Sequence, residues 1–531
     1  MKKVAVIGAG ASGLAAIKTC LENNLEVVCY EWNTDVGGIW CYKEKAIEGM
    51  GSVAKSTIIN SSKELMAYSD FPPPSSLPNF MHHTELLQYL KLYAEYFNLI
   101  PFVKFRHRVL EVTPSTDYDE SGKWIVGVLN EENGNRFNDE VNAVMVCTGH
   151  QGYPNRVEFR DQNKFCGNII HSHEFKDLSM YENKKVLVVG SGNSAADDAV
   201  DLSYVAQKTY LSTRRGFWIL RRTEECGKPY DFDFISRPFA AMIKYLPFNF
   251  TCWFIERKLN KWFNHEIYQL TPSHRVLSQF PTVNDFLPSR ILSGRIIIKG
   301  NIERFTENGV IFENGESVEV DEVIMATGYN IKYPFLKSIR TDNNEVELYK
   351  YIFPPDMKYP TLGIIGCINA LGGFCPVGEM QCRYFIEVLT NKIELPSVKE
   401  MKEDIIKKRN ELKKTFYESI RHTIDAPLIE YLDELAALIG IKPNLFKLLY
   451  TDPILFKKLL LGPSLPYQYR LYGSYSWSGA RKAILSMEER YLTPFRTRYK
   501  VENKKNFCSR IIIISLLVIL FSILIKLMLQ L

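Results

Sequence analysis

"VAVIGAGASG", residues 4–13, sets four apolar residues against a glycine-rich turn and then enters a helical pattern. The run Val4–Ile7 reads as a buried strand. Gly8 suits a tight turn, Gly10 lets the backbone approach a pyrophosphate, and Gly13 lets the following helix lie close on the strand. A helix from about Ser12 to Glu22 would aim its first N–H groups at a phosphate. Glu26–Tyr30 then reads as a second strand that ends at Glu31. A carboxylate there accepts hydrogen bonds from a ribose 2′-hydroxyl and repels a 2′-phosphate. The unit therefore suits FAD or NAD and disfavours NADP.

The residues just beyond Glu31 choose between the two. Asp35-Val-Gly37-Gly38-Ile-Trp40 is a second glycine turn. Gly38 lets the backbone lie near a large flat ring, and Trp40 can wall it. This resembles the FAD signature of two-dinucleotide flavoproteins.

The pattern then recurs at 186–200, "VLVVGSGNSAADDAV". Val186–Val189 is the strand, and Gly190, Gly192 and Ala195 form the fingerprint, with alanine as the permitted third residue. Asn193 opens the helix. Lys208–Ser212 is the second strand, and where the first unit has Glu31 this one has Thr213-Arg214-Arg215. Two guanidinium groups suit a 2′-phosphate through charge-assisted hydrogen bonds. The expected nucleotide is NADPH.

Two apolar strands end in Thr-Gly: Val144–Thr148-Gly149 and Val323–Thr327-Gly328. Such ends close a nucleotide domain and begin the crossing to the next. The expected fold is α/β, with two dinucleotide-binding (Rossmann-like) domains, a helical insertion and a C-terminal transmembrane helix. We expect an FAD domain from 1–150 and 331–442, and an NADPH domain from 151–213 and 296–330. The insertion spans 214–295, a C-terminal helical region 443–509, and a membrane tail 510–531.

Composition narrows the partners. The 531 residues suit two to four domains. A net charge of +5 is small for that length, and no dense basic block interleaves with aromatics, so nucleic acid is not an expected partner. The eleven cysteines contain no Cys-x-x-Cys, which excludes a flavin-disulfide reductase and a zinc knuckle. No metal site is expected: the nine histidines are dispersed, and the neighbours His82 and His83 should diverge. The N-terminus lacks signal-peptide architecture, so free thiols in a reducing compartment are expected.

The tail "RIIIISLLVILFSILIKLMLQL", 510–531, has the length and apolarity of a membrane span. Lys504, Lys505 and Arg510 flank it and place the catalytic part on the cytosolic side. Within the insertion, aromatic Phe248, Phe250, Trp253, Phe254, Trp262 and Phe263 mix with Arg257, Lys258 and Lys261. That pattern fits an interfacial amphipathic helix and equally fits packing against the FAD domain or a substrate tunnel. Residues 397–418 read as a charged, solvated helix.

Phe165-Cys-Gly167-Asn-Ile-Ile-His171-Ser-His-Glu-Phe175-Lys176, lying between the two dinucleotide turns, resembles the signature F-x-G-x-x-x-H-x-x-x-[YF]-[KR] of the flavin-containing monooxygenases. Asn60-Ser-Ser-Lys-Glu, Tyr68-Ser-Asp-Phe-Pro72, Thr282-Val-Asn284-Asp, Ala326-Thr-Gly-Tyr329, Gly462-Pro and the tail extend the resemblance along nearly the whole chain, toward the membrane-bound animal branch. Ketone-oxygenating relatives carry Trp-Pro or Trp-Asp where this chain has Phe175-Lys176. Cys41, Met325 and Ala195 depart from the family's usual residues, and Cys41 lies near the presumed flavin ring.

The resemblance implies an NADPH- and O2-dependent monooxygenase acting on soft nucleophiles, that is, N- and S-containing small molecules including xenobiotics. It implies a C4a-hydroperoxyflavin shielded by retained NADP+, with Asn60 as the oxygen-activating residue. His171 and Lys176 would serve domain linkage and hydride geometry. It also implies an endoplasmic reticulum membrane location with the lipid bilayer as partner; assembly with identical copies stays open. The alternatives are an NADPH oxidase releasing hydrogen peroxide, a Baeyer–Villiger-type ketone monooxygenase, or a membrane-anchored nucleotide-binding scaffold without turnover.

Overall fold

The computed structural model describes residues 1–498. The proposed transmembrane tail, 510–531, lies outside the described residues. Among those described, no helix is long and apolar enough to cross a membrane.

Two parallel five-stranded sheets organise the chain. In the first, the strand Lys3–Ile7 lies between Glu26–Tyr30 and Ala143–Val146, with Val103–Lys104 at one edge and Leu362–Ile364 at the other. The last strand comes from far along the chain. Parallel strands need crossovers that cover both faces, so these strands read as unbroken apolar runs; residues 143–146 are all buried. In the second sheet, Lys185–Val189 lies between Lys208–Ser212 and Glu322–Met325, with Ile296–Lys299 and Asn168–His171 outermost.

The helix Phe374–Leu389 packs on the first fingerprint helix, Ala11–Glu22. It is buried at every residue from Cys375 to Leu389. Burial on all sides is the condition of a central helix, yet this one carries charges, which must be paired. Glu379 bonds to Arg383 one turn on. It also accepts from Arg470 (2.8 Å) and from the Ser69 backbone N–H (2.8 Å). Arg470 reaches Asp70 at 2.7 Å, and Lys18 holds the same carboxylate at 2.7 Å. Burial alone would raise the Glu379 pKa, but the cations Arg383, Arg470 and Lys18 overcome it and hold the carboxyl at about 2.

The insertion reaches back to the second sheet's glycine turn through its second strand. Ile219–Leu220 pairs with Thr282–Val283. The Thr282 hydroxyl donates to the Ser191 carbonyl at 2.6 Å. Between those strands run the helices Arg237–Tyr245 and Phe248–Trp262. Tyr245, Phe250, Trp253 and Phe254 stay exposed on them. The helix Pro453–Leu461 packs on Arg237–Tyr245 and exposes Ile454 and Leu461. The charged stretch forms the helix Val398–Thr415, capped by Ser397 and Glu400 in a reciprocal box.

Ten cysteines fall within the described residues, and none is bridged. Seven are buried, Cys41 is half-buried, and Cys166 and Cys226 are exposed. The expectation about His82 and His83 needs correction. Their rings lie 4.3 Å apart, because His82 is the extended cap residue of the helix His83–Tyr96 and the chain turns between them. No group of residues suited to a metal ion occurs among the described residues.

Candidate cofactor and active site

The first glycine turn opens onto a cavity of about 530 Å³. Gly8, Gly10, Glu31, Gly38 and Trp40 line it, so five of the residues expected for FAD meet at one place. Gly13 lies behind the cavity wall and acts by its missing side chain: a β-carbon there would stand 1.8 Å from the Gly8 carbonyl oxygen. Gly10 and Gly38 face each other, and a β-carbon on Gly38 would sit 3.2 Å from the Gly10 Cα. Bare backbone from both turns thus makes a cradle in which a pyrophosphate fits.

Glu31 is buried. Its carboxylate accepts from the Ala9 N–H at 2.6 Å and the Asn33 N–H at 2.7 Å. Burial pushes its pKa up, while those two N–H groups favour the charged form. Trp40 stacks on Phe374 with ring centres 5.4 Å apart and 16° between planes. Phe374 opens the buried helix and lines the cavity with Gly372 and Gly373. That third approach to the cavity was not anticipated, although Gly366, Gly372 and Gly373 ahead of a helical run were a signal for it.

The second turn repeats the device. A β-carbon on Gly190 would meet the Ala326 carbonyl oxygen at 2.4 Å. Ala195 is fully buried, so its methyl packs where the third glycine often stands. The Asn193 side-chain oxygen accepts from the Val283 N–H at 2.8 Å and is spent on the insertion. Arg214 and Arg215 are exposed, and the Arg215 guanidinium lies 5.0 Å from the centre of the Tyr417 ring. Thr213 is only 8 % exposed, and its hydroxyl has no hydrogen-bond partner. An orphaned donor beside two cations fits a phosphate.

Asn60 does not line the large cavity. Its side-chain oxygen accepts from Arg222 Nη at 2.7 Å, and its backbone carbonyl accepts from the Tyr230 hydroxyl at 2.8 Å. Arg222 also pairs with Asp285 at 2.9 Å. The insertion thereby fixes which way the Asn60 amide points, leaving its NH2 to donate. Arg222 carries no motif of its own in sequence; only the fold brings it to Asn60.

The crossing between the two sheets is stitched by the signature segment. His173 N–H donates to His171 Nδ1 at 3.1 Å, so the proton sits on Nε2, which contacts the Gly328 carbonyl at 3.0 Å. Burial lowers the His171 pKa to about 4 and keeps the ring neutral. The Thr327 hydroxyl donates to Asn155 O at 2.6 Å, and Asn155 N–H to Gly328 O at 2.9 Å. Thr327 and Gly328 are thus engaged by protein at this junction. Lys176 donates to Ser52 and to the Val53 carbonyl, joining the signature to the segment that follows the first glycine turns.

The profile of the family described as flavin-binding monooxygenase-like matches residues 1–528. Flavin-containing monooxygenase 5 of Oryctolagus cuniculus is 45% identical over 501 residues, covering 94% of each chain. Dimethylaniline monooxygenase (N-oxide-forming) 2 of Macaca mulatta is 41% identical over 511 residues, covering 95% of each. Among solved structures, the S-allyl-L-cysteine S-oxygenase of Allium sativum aligns with a TM-score of 0.64 at 22% identity, over 92% of this chain and 98% of that one. Cyclohexanone monooxygenase of Rhodococcus sp. Phi1, bound to NADP+, aligns with a TM-score of 0.59 at 15% identity, over 83% and 97%. The two solved structures speak for a shared fold.

Proposed function

Because the chain belongs to the flavin-containing monooxygenase family, we propose the following division of labour among its residues. The protein is an NADPH- and FAD-dependent monooxygenase that oxygenates heteroatom-bearing small molecules with O2. The finer reading takes amines and sulfides as those substrates. When bound, FAD accepts hydride from NADPH and activates oxygen for transfer to the substrate heteroatom.

Gly8, Gly10, Gly13, Glu31, Gly38 and Trp40 bind FAD. Gly190, Gly192, Asn193, Ala195, Thr213, Arg214, Arg215, Thr327 and Gly328 belong to the NADPH side. Within that group the structural and the contacting roles differ: Asn193, Thr327 and Gly328 shape the site through the hydrogen bonds described above, whereas Arg214 and Arg215 offer exposed cationic groups. We assign Asn60 the role of donating an uncharged N–H to oxygen-derived atoms. The observation that carries this is the Arg222 bond to Asn60 Oδ1, which leaves the amide NH2 to donate. An amide does not titrate, so the donor persists across pH.

The test uses the full chain with FAD, NADPH, O2 and a sulfide or tertiary amine. The wild type is expected to form S-oxide or N-oxide in step with NADPH consumed. Asn60→Asp puts a carboxylate against Arg222 and deletes the donor; it should keep FAD and release hydrogen peroxide in place of product. Peroxide in step with NADPH from the wild type would make the chain an oxidase. Unchanged coupling in Asn60→Asp would remove that residue from oxygen handling.

Residues 510–531 are proposed to anchor the chain in the endoplasmic reticulum membrane, its catalytic domains in the cytosol. The exposed aromatics of the helices Arg237–Tyr245 and Phe248–Trp262 support a second, interfacial contact. A chain ending at residue 498 should then still sediment with anionic phospholipid vesicles, more weakly than the full chain and least of all after Trp253→Ser and Phe254→Ser. Sedimentation of the shortened chain that is indifferent to those substitutions would reject the interfacial contact.

A further inference from the structure

Residues 416–426 form a strap that touches both halves of the molecule. At one end, the Tyr417 hydroxyl donates to Gln279 at 2.9 Å, its N–H donates to Ser278 O at 3.2 Å, and its ring carries the Arg215 guanidinium. At the other end, Asp425–Ala426 pairs in parallel with Asn369–Ala370, which lines the flavin cavity. In the middle stands Arg421. Its Nη2 is 3.1 Å from the position of a β-carbon on Gly192.

That placement is electrostatically unfavourable as it stands. Gly192 caps the helix Asn193–Val205, and a helix N-terminus carries roughly +0.5 of an elementary charge. A guanidinium beside it is repelled. Arg421 is exposed, and among the described residues no carboxylate pairs with it. An anion between the two positive groups reverses the sign of the interaction and satisfies both. The unpartnered, nine-tenths buried Thr213 hydroxyl, on the same nucleotide unit, is a second polar group left for a ligand of that unit.

We propose that Arg421 binds the pyrophosphate of the nicotinamide dinucleotide, so that the strap closes over the second glycine turn from the flavin side. This rests on reading residues 186–215 as the NADPH site. The 2′-phosphate falls to Arg214 and to Arg215, which the Tyr417 ring supports. One strap thus supports both charged groups of the nucleotide, the pyrophosphate and the 2′-phosphate, while its far end borders the flavin cavity.

The division can be tested with two fragments. ADP carries the pyrophosphate without the 2′-phosphate, and 2′-AMP carries the reverse. Binding of each, and of NADP+, is measured by calorimetry on the FAD-loaded full chain. Arg421→Gln should weaken ADP and NADP+ by about ten- to hundredfold, the scale of one charged hydrogen bond, and leave 2′-AMP unchanged. Arg421→Lys should recover part of the loss. Arg214→Ala should weaken 2′-AMP and NADP+ and spare ADP. Unchanged ADP affinity in Arg421→Gln, or a loss confined to 2′-AMP, overturns the assignment. A wild type that binds neither fragment nor NADP+ overturns the nicotinamide site itself, and the role of Arg421 falls with it.

Discussion

Gly190→Val is expected to keep its flavin and lose reduction by NADPH. The new side chain starts 2.4 Å from the Ala326 carbonyl oxygen, and backbone at the end of a central strand cannot yield. Gly190 also has φ +152°, within the range that favours glycine. A clash of this kind costs about 4 kcal/mol or more; the turn relieves it by leaving the position that receives the pyrophosphate, and a binding loss of that size is roughly a thousandfold in NADP+ affinity. The first sheet is separate, so FAD content should match the wild type and dithionite should still bleach the flavin. The readouts are the flavin spectrum and calorimetric NADP+ binding. Loss of FAD along with NADP+ would show that the two sheets fold as one unit. Normal reduction by NADPH would remove the second turn from nucleotide binding.

The second large effect concerns stability. Arg470 bonds to Glu379, to Asp70 and, through its Nε, to the Ser69 hydroxyl. Arg470→Leu leaves two buried carboxylates with fewer cations. Breaking one member out of a buried charged set costs about 3–5 kcal/mol, a fall in Tm on the order of 5–10 °C. Adding Glu379→Gln to Arg470→Leu should restore part of it, because the uncompensated charge goes too. Acid should attack the same point. The Glu379 pKa in the fold is held at about 2, below its ordinary value of 4.5, so its contribution is present above pH 4.5 and is lost as pH falls toward 2. The measurement is thermal unfolding followed by flavin release. An unchanged Tm in Arg470→Leu removes the network from the stability of the flavin lobe.

Both glycine turns were legible in the sequence because their geometry depends on local spacing. The strand, the turn and the helix follow within twenty residues, and a missing side chain is visible as a glycine. Glu31, Arg214 and Arg215 could be placed by their distance from those turns. What the sequence could not reveal are contacts between segments far apart. Arg222 meets Asn60 across 162 positions, and Leu362–Ile364 joins a sheet whose other strands lie before residue 147. Arg421 has no periodicity or spacing to announce it; its meaning comes from standing beside Gly192. The insertion's aromatics were ambiguous for a different reason. Periodicity reveals an apolar face but not what covers it, and only the fold leaves Trp253 and Phe254 exposed.

The unbridged cysteines bear on how such an enzyme survives its own chemistry. An imperfectly coupled turnover leaks hydrogen peroxide inside the molecule that made it. Peroxide attacks thiolates far faster than thiols. Burial pushes the thiol of Cys367 up to about 11, and it raises those of Cys20, Cys29, Cys147, Cys375 and Cys382 as well. These groups are protonated at neutral pH and hidden from diffusing oxidant, although Cys147 lines the cavity proposed to hold the flavin. Among the described residues, oxidative ageing should therefore begin at the exposed Cys166 and Cys226 and the half-buried Cys41, and spare the buried thiols until the chain unfolds.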